Sequence, residues 1–186
     1  MDALDLMLSR ESATKLDAPG PTEDELTRIF ATAVRAPDHG RLRPWKFVVI
    51  PTDKRERFGE VMADSMRRRD PNASAEALRR EREKAFRAPV IVAAAAKVQK
   101  GHRIPEIEQI ASAAAAAQNI MLAAPALGYG AMWKTGDAAY DPAVKEVLGL
   151  QPDDLILGFM YIGTNTGSPS PAARPGARDH VAVWPG

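Results

Sequence analysis

Apolar residues recur along this chain at two different spacings, and the changes from one to the other mark out its elements. Leu4, Leu6, Met7 and Leu8 make residues 2–9 a short helix. In "PTEDELTRIFATAVR", Leu26, Ile29, Phe30, Ala33 and Val34 keep helical spacing behind a capping box of Thr22 with Glu25. Pro37 ends that helix, because the residue before a proline is pushed out of the α region. "KFVVI" reads as a strand. Asp53 and Glu56 open a further helix with Phe58, Val61, Met62 and Met66 on one face, and the chain is helical again from Ser74. "APVIVAAAA" is a continuous apolar run, read as a buried strand. A long alanine-rich helix runs from Pro105 to about Leu127. Pro125 lies inside it, lacks an amide donor and collides with the carbonyl of Met121, which predicts a kink. "GYGAMW" turns into a strand, Asp141–Pro142 caps a short helix that Gly149 stops, and "LILGFMYIG" is the last strand. The tail "TNTGSPSPAARPGARDHVAVWPG" is too polar to build a core, so it either wraps over a neighbour or stays mobile. Helices and strands mix without a regular βαβ alternation, which favours an α+β fold.

Composition narrows the partners. At 186 residues the chain fits one domain, and 45% hydrophobic against 26% charged residues is the balance of a folded protein. A net charge of +1 gives no global attraction to nucleic acid or anionic lipid, so any cationic site must be local. The absence of cysteine excludes disulfides, thiolate metal sites and thiol nucleophiles, and fits a reducing compartment. The opening "MDALDLMLSR" is acidic where a secretory leader is basic. "ASAAAAAQNIMLAAPAL" is too short and too weakly apolar to span a bilayer. A cytoplasmic location without a membrane partner is the expectation.

Several chemistries fail on spacing. "GYG" at 128–130 follows a helix and leads to Trp133, so the dinucleotide fingerprint is absent, as are a phosphate-binding P-loop and a G-x-S-x-G elbow. His39, His102 and His180 are too scattered to hold a metal, and no metal is expected. Residues 67–87 hold eight basic residues against four acids, but Phe86 alone interrupts them as an aromatic. A solvated helix face laced with ion pairs explains that stretch better than nucleic-acid binding. Three segments remain in which small residues sit beside cations: "SRESATK", "RAPDHGRLRPW" and "GYGAMWKTG". Arginine forks match phosphate oxygens, and a glycine-containing turn lets backbone N–H groups approach a ring. A ligand with a phosphate and a large flat ring would use all three.

Those same segments carry a resemblance. "MDALDLMLSRESATKL", "RAPDHGRLRPWKFVVI", "FRAPVIVAAAAK", "AAAAAQNIMLAAPALGYGAMWKTG" and "GFMYIGT" resemble, in order, blocks of the FMN-dependent nitroreductase family, in its small YdjA-type subgroup. The similarity covers about residues 1–165. It implies a nitroreductase-like α+β fold with a central mixed β-sheet flanked by helices, in an intertwined homodimer with FMN at the interface. Residues 1–165 would form the single FMN-binding domain, and residues 166–186 an arm packing on the partner subunit. By the resemblance, Arg10, Glu11 and Ser12 lie on the phosphate and ribityl side, Arg35 and His39 contact the cofactor, and Trp133, Lys134 and Thr135 bring a main-chain N–H and a cation to it. Ala123, Ala124, Pro125, Ala126, Leu127 and Gly128 correspond to a stretch linked with NAD(P). Trp45 would anchor the start of its strand. Glu11, Thr14 and Arg43 depart from the family's commoner residues, and Lys15 stands one position late.

The implied activity is NAD(P)H-dependent: hydride passes by way of flavin N5 to a nitroaromatic or quinone-type acceptor in a ping-pong scheme, and no side chain need act as an acid. Other flavin reactions on the same fold, reductive dehalogenation or flavin breakdown, stay open, as does a flavin- or nucleic-acid-binding module without turnover. Nothing in the sequence chooses between NADH and NADPH.

Overall fold

The computed structural model describes residues 2–168 and 174–186. The chain begins with helix α1 (Ala3–Ser9), capped by the Asp2 carboxylate, and a two-residue strand β1 (Leu16–Asp17). Helix α2 (Glu23–Ala33) opens with the expected capping box, Thr22 and Glu25 each accepting from the other's backbone N–H. After strand β2 (Trp45–Ile50) come helices α3 (Arg55–Arg69) and α4 (Ala75–Glu83), then strand β3 (Val90–Ala96). Helix α5 (Glu106–Ala126) leads into strand β4 (Gly130–Lys134), and helix α6 (Pro142–Val147) into strand β5 (Leu155–Asn165).

β5 is the hub of the sheet. It pairs with β3, with β4 and, near its end, with β1, while β2 pairs with β3. Every pairing among the described residues is antiparallel, in place of the mixed sheet expected. The reason lies in the crossover. β3 and β4 run in the same direction, joined through α5 as in a parallel unit, but β5 returns between them and separates them.

Alternation along the strands builds a core on each face. Ile91, Ala93, Phe159 and Tyr161 face Phe58 and Met62 of α3 and Val144 of α6. Val92, Ala94, Met160 and Ile162 face Ile29 of α2 and the Ala116, Ala117, Ile120 and Ala124 side of α5. With both faces covered, β3 carries no polar residue, which is why its sequence is one apolar run. Its alanines, and those of α5, leave room for the backbones to approach. Trp45 is half-buried against the α5-side core, as an anchor of its strand would be.

Candidate functional site

The segment after α1 runs alongside the outer edge of β4. The Ala13 N–H donates to the Ala131 carbonyl at 2.9 Å, and Leu16 pairs with Asn165. Strand alternation turns the Trp133 N–H to the same edge as the Ala131 carbonyl. No loop backbone group answers that N–H among the described residues. Two clefts open along this seam. One, of about 260 Å³, is lined by Arg10, Glu11, Pro125, Gly128 and Tyr129 among others. The other, of about 460 Å³, is lined by Thr14, Lys15, Asp17, Phe86, Arg87 and Lys134, with Leu16 and Met132 at its base. Lys15 is paired with Asp17 at 3.1 Å. The Thr166 hydroxyl and then Lys15 hold the Asp17 carboxyl below its ordinary range.

The walls of the seam are fixed from behind. The Tyr129 hydroxyl donates to Glu25 at 2.8 Å. The Thr22 backbone N–H, then the Tyr129 and Thr22 hydroxyls, keep the Glu25 carboxyl low, and that carboxylate in turn raises the Tyr129 phenol. At the end of α5, Tyr129 N–H reaches the Ala124 carbonyl at 3.0 Å and Gly128 N–H the Pro125 carbonyl at 2.9 Å. These two bonds make a Schellman turn. Pro125 therefore stands in the last turn of a helix that stops at Ala126, instead of kinking a helix that continues. Its missing N–H leaves only one Met121 carbonyl unanswered, at a place where the ladder is already ending.

Trp133 is held by a bulge. Between β3 and β5 the register slips so that Leu157 has no partner opposite it, and its carbonyl accepts from Trp133 Nε1 at 3.1 Å and from Thr135 Oγ1 at 3.4 Å. The neighbouring Gly158 lets the indole lie down on the strand: a Cβ there would come within 2.7 Å of Trp133 Cδ1.

The "RAPDHGRLRPW" loop is built differently. Asp38 turns its carboxylate back onto the Leu42 and Arg43 N–H groups at 3.1 and 2.9 Å. The Ser112 hydroxyl of α5 donates to the Pro37 carbonyl at 2.6 Å, and His39 Nδ1 meets Glu108 at 2.6 Å. Arg41 and Arg43 both sit in the left-handed region, with φ of 58° and 52°. For a residue bearing a Cβ that conformation costs roughly 1–2 kcal/mol. Gly40, at φ 67°, has Ile104 packed against its Cα so closely that a side chain there would clash.

The structure thus brings Arg10, Glu11, Pro125, Gly128 and Lys134 to the clefts of one seam, with Ser12 next to Glu11, Trp133 and Thr135 on either side of Lys134, and Ala123, Ala124, Ala126 and Leu127 in the helix end behind it. It does not bring Arg35 and His39 there. His39 is tied to Glu108 near the start of α5 and Arg10 faces Pro125 at its end, positions about 25 Å apart at 1.5 Å per helical residue. Lys15, Arg87 and Tyr129 line the clefts without having been singled out as candidates. Lys15 beside "RES" and Tyr129 within "GYGAMWKTG" lay in segments already marked by their sequence, whereas Arg87 reaches the cleft only through the fold. Among the described residues no three acids or histidines gather as metal ligands. Most of the charge-dense stretch is paired: Arg68 with Asp141, Arg69 with Asp137, Arg79 and Arg80 with Glu76, Arg82 with Glu60 and Lys84 with Glu81. No described helix is long and apolar enough to cross a membrane.

Comparison with known proteins decides the family. The model of the nitroreductase family matches residues 7–164. The chain belongs to the nitroreductase family. It is 38% identical over 164 residues to the Escherichia coli K12 protein named "Putative NAD(P)H nitroreductase YdjA", covering 88% of each. A nitroreductase-like family protein from Bacillus cereus superposes with a TM-score of 0.85 at 22% identity, over 100% of this chain and 97% of the other. The FMN and NADPH-dependent nitroreductase NfnB of "sphigopyxis sp. strain HMH" superposes with a TM-score of 0.78 at 22% identity, over the whole of both chains. The α+β nitroreductase fold expected from the sequence is the fold observed.

Proposed function

We propose that this chain is an NAD(P)H-dependent FMN oxidoreductase that reduces nitroaromatic or quinone-type acceptors by a ping-pong scheme. The observation that carries the reading is the seam itself. An outward N–H at Trp133 lies between a guanidinium and hydroxyl at Arg10 and Ser12 and a cation at Lys134. Arg10 and Lys134 form no ion pair among the described residues, so their charge is available to a ligand. That donor set fits an anionic, planar, hydrogen-bonding cofactor, and FMN is the one named for NfnB. Bound there, FMN supplies the hydride-accepting N5. Arg10 and Ser12 would hold its phosphate side with the Lys134 cation near the phosphate, and the Trp133 N–H would face the ring, where a fixed donor favours the reduced form. The Schellman turn at Ala123–Gly128 would form the wall against which NAD(P)H lies.

The separation of Arg10 from His39 along α5, about 25 Å at 1.5 Å per helical residue, gives the reading its assembly. Both match cofactor-contacting positions, yet one protomer cannot present them to one flavin. A second copy, with its α5 laid against the first, would bring its Arg35 and His39 to the open seam. Val181, Val183 and Trp184, 70–90% exposed, give the carboxy-terminal arm an apolar face to lay on that copy. A homodimer built around two flavins, acting in the cytoplasm, is the proposed form.

The test is spectroscopic. Adding FMN to the purified protein should give a bound-flavin spectrum that NADH or NADPH bleaches anaerobically and a nitroaromatic restores. Arg10→Ala should bind FMN at least tenfold more weakly. An Arg10→Ala variant that held flavin like the parent would remove the phosphate assignment, and a parent that took up no FMN would remove the function.

A further inference from the structure

We propose that the loop of residues 38–43 is a phosphate-recognition element for the dinucleotide electron donor, and that it favours NADPH over NADH. The inference rests on the flavin reading for the identity of the ligand, but on its own observations for the site.

Five cations gather around this loop. Arg35, Arg41 and Arg43 belong to it or flank it. Lys97 joins through its backbone N–H, which donates to the Pro44 carbonyl at 2.8 Å, and Arg103 precedes the Ile104 that packs on Gly40. All five are exposed, and none forms an ion pair among the described residues. The nearby acids are occupied elsewhere: Asp38 on backbone N–H groups and Glu108 on His39, leaving Glu106 at the start of α5. On α3 and α4, by contrast, Arg67, Arg68, Arg69, Arg79, Arg80 and Arg82 are each matched with a carboxylate. Cations grouped on neighbouring segments with no carboxylate paired to them make a local positive surface suited to an anion.

The backbone points the same way. Arg41 and Arg43 hold a conformation that glycine adopts freely, so stability alone would place glycine or asparagine at both. Guanidinium at these positions is kept at the expense of the fold. The flavin phosphate is already assigned to Arg10 and Ser12, and a nitroaromatic or quinone offers these cations no charge. The donor does: NADH carries two phosphates, and NADPH adds a third, dianionic group that rewards a bidentate guanidinium most.

Calorimetric titration of the FMN-loaded protein with NADP⁺ and with NAD⁺ tests this directly. The parent should bind NADP⁺ more tightly than NAD⁺, with affinity falling as salt rises. Arg41→Gly/Arg43→Gly should weaken NADP⁺ binding at least tenfold while melting at or above the parent's temperature, since the left-handed strain is gone. Arg41→Lys/Arg43→Lys keeps the charge but loses the guanidinium fork, so it should weaken NADP⁺ binding by less than the glycine variant does. A glycine variant that bound NADP⁺ like the parent, or a parent that bound neither nucleotide, would overturn the proposal. The flavin spectrum is recorded separately. Failure to take up FMN sinks the flavin reading, and the same titration on flavin-free protein still decides the loop.

Discussion

Gly158→Ala is the most informative single change, because it adds one methyl group where the candidate site meets the core. The new Cβ would lie 2.7 Å from Trp133 Cδ1 and 2.8 Å from the Lys134 carbonyl oxygen, against ordinary contacts of about 3.5–4.0 Å. The indole must retreat by about 1 Å, and its 3.1 Å bond to the Leu157 carbonyl breaks. Overpacking costs about 1–3 kcal/mol and the lost hydrogen bond about 1 kcal/mol more. A loss of about 2–4 kcal/mol in a chain of this size lowers the melting temperature by about 5–15 °C. Thermal unfolding followed by circular dichroism reads that fall, and flavin absorbance after desalting reads whether the Trp133–Thr135 edge still holds FMN. Trp133→Ala removes the colliding ring, so the double variant should lose less than the sum of the two singles. If Gly158→Ala melts within 2 °C of the parent, the close approach of indole and strand is not what keeps glycine at this position.

Two further expectations concern titration. Burial alone would raise the Asp141 carboxyl, but the Ser65 hydroxyl, Arg68 and the Ala143 N–H outweigh it and leave it lowered. Its contribution is therefore present above the ordinary carboxylate range and lost as pH falls through the depressed folded value. Asp141→Asn should cost about 1–2 kcal/mol near pH 7, modest because Arg68 is half in solvent, with the gap to the parent closing towards pH 3 in melting experiments. Burial pushes the Tyr161 phenol up to about 12. The unfolded chain then ionises first, near pH 10, so stability falls between pH 10 and 12 by about 2–3 kcal/mol. Tyr161→Phe should flatten that alkaline decline; an unchanged decline would mean that another group drives it.

What the sequence showed and what it hid divide along contact range. Thr22, Glu25 and the apolar positions of α2 announce themselves within one helical turn, and the capping box is found where it was expected. The run from Val90 to Ala96 also declares itself, since burial on both faces leaves no polar position to confuse the pattern. β1 was invisible: Leu16 and Asp17 lie in a polar stretch and become a strand only by pairing with Asn165 and Thr164, nearly the whole chain away. The antiparallel sheet was hidden for the same reason, because the insertion of β5 between β3 and β4 leaves no mark on either strand. Pro125 was rightly seen as disruptive, but whether a proline bends a helix or closes it depends on the Schellman bonds beyond it. At the seam, short motifs drew attention to Arg10, Ser12 and Lys134 as candidates, while the distance separating His39 from them is set by the length of α5 and cannot be read from the loop.

That length has a genetic consequence. If α5 keeps the two halves of each flavin site on different copies of the chain, an Arg10→Ala chain and a His39→Ala chain spoil opposite halves. Each alone should be defective. Mixed and reassembled, they form hybrids in which one crevice inherits both lesions and the other inherits neither. Random exchange would restore about a quarter of all crevices, whereas halves belonging to a single copy would yield no recovery however the two were combined.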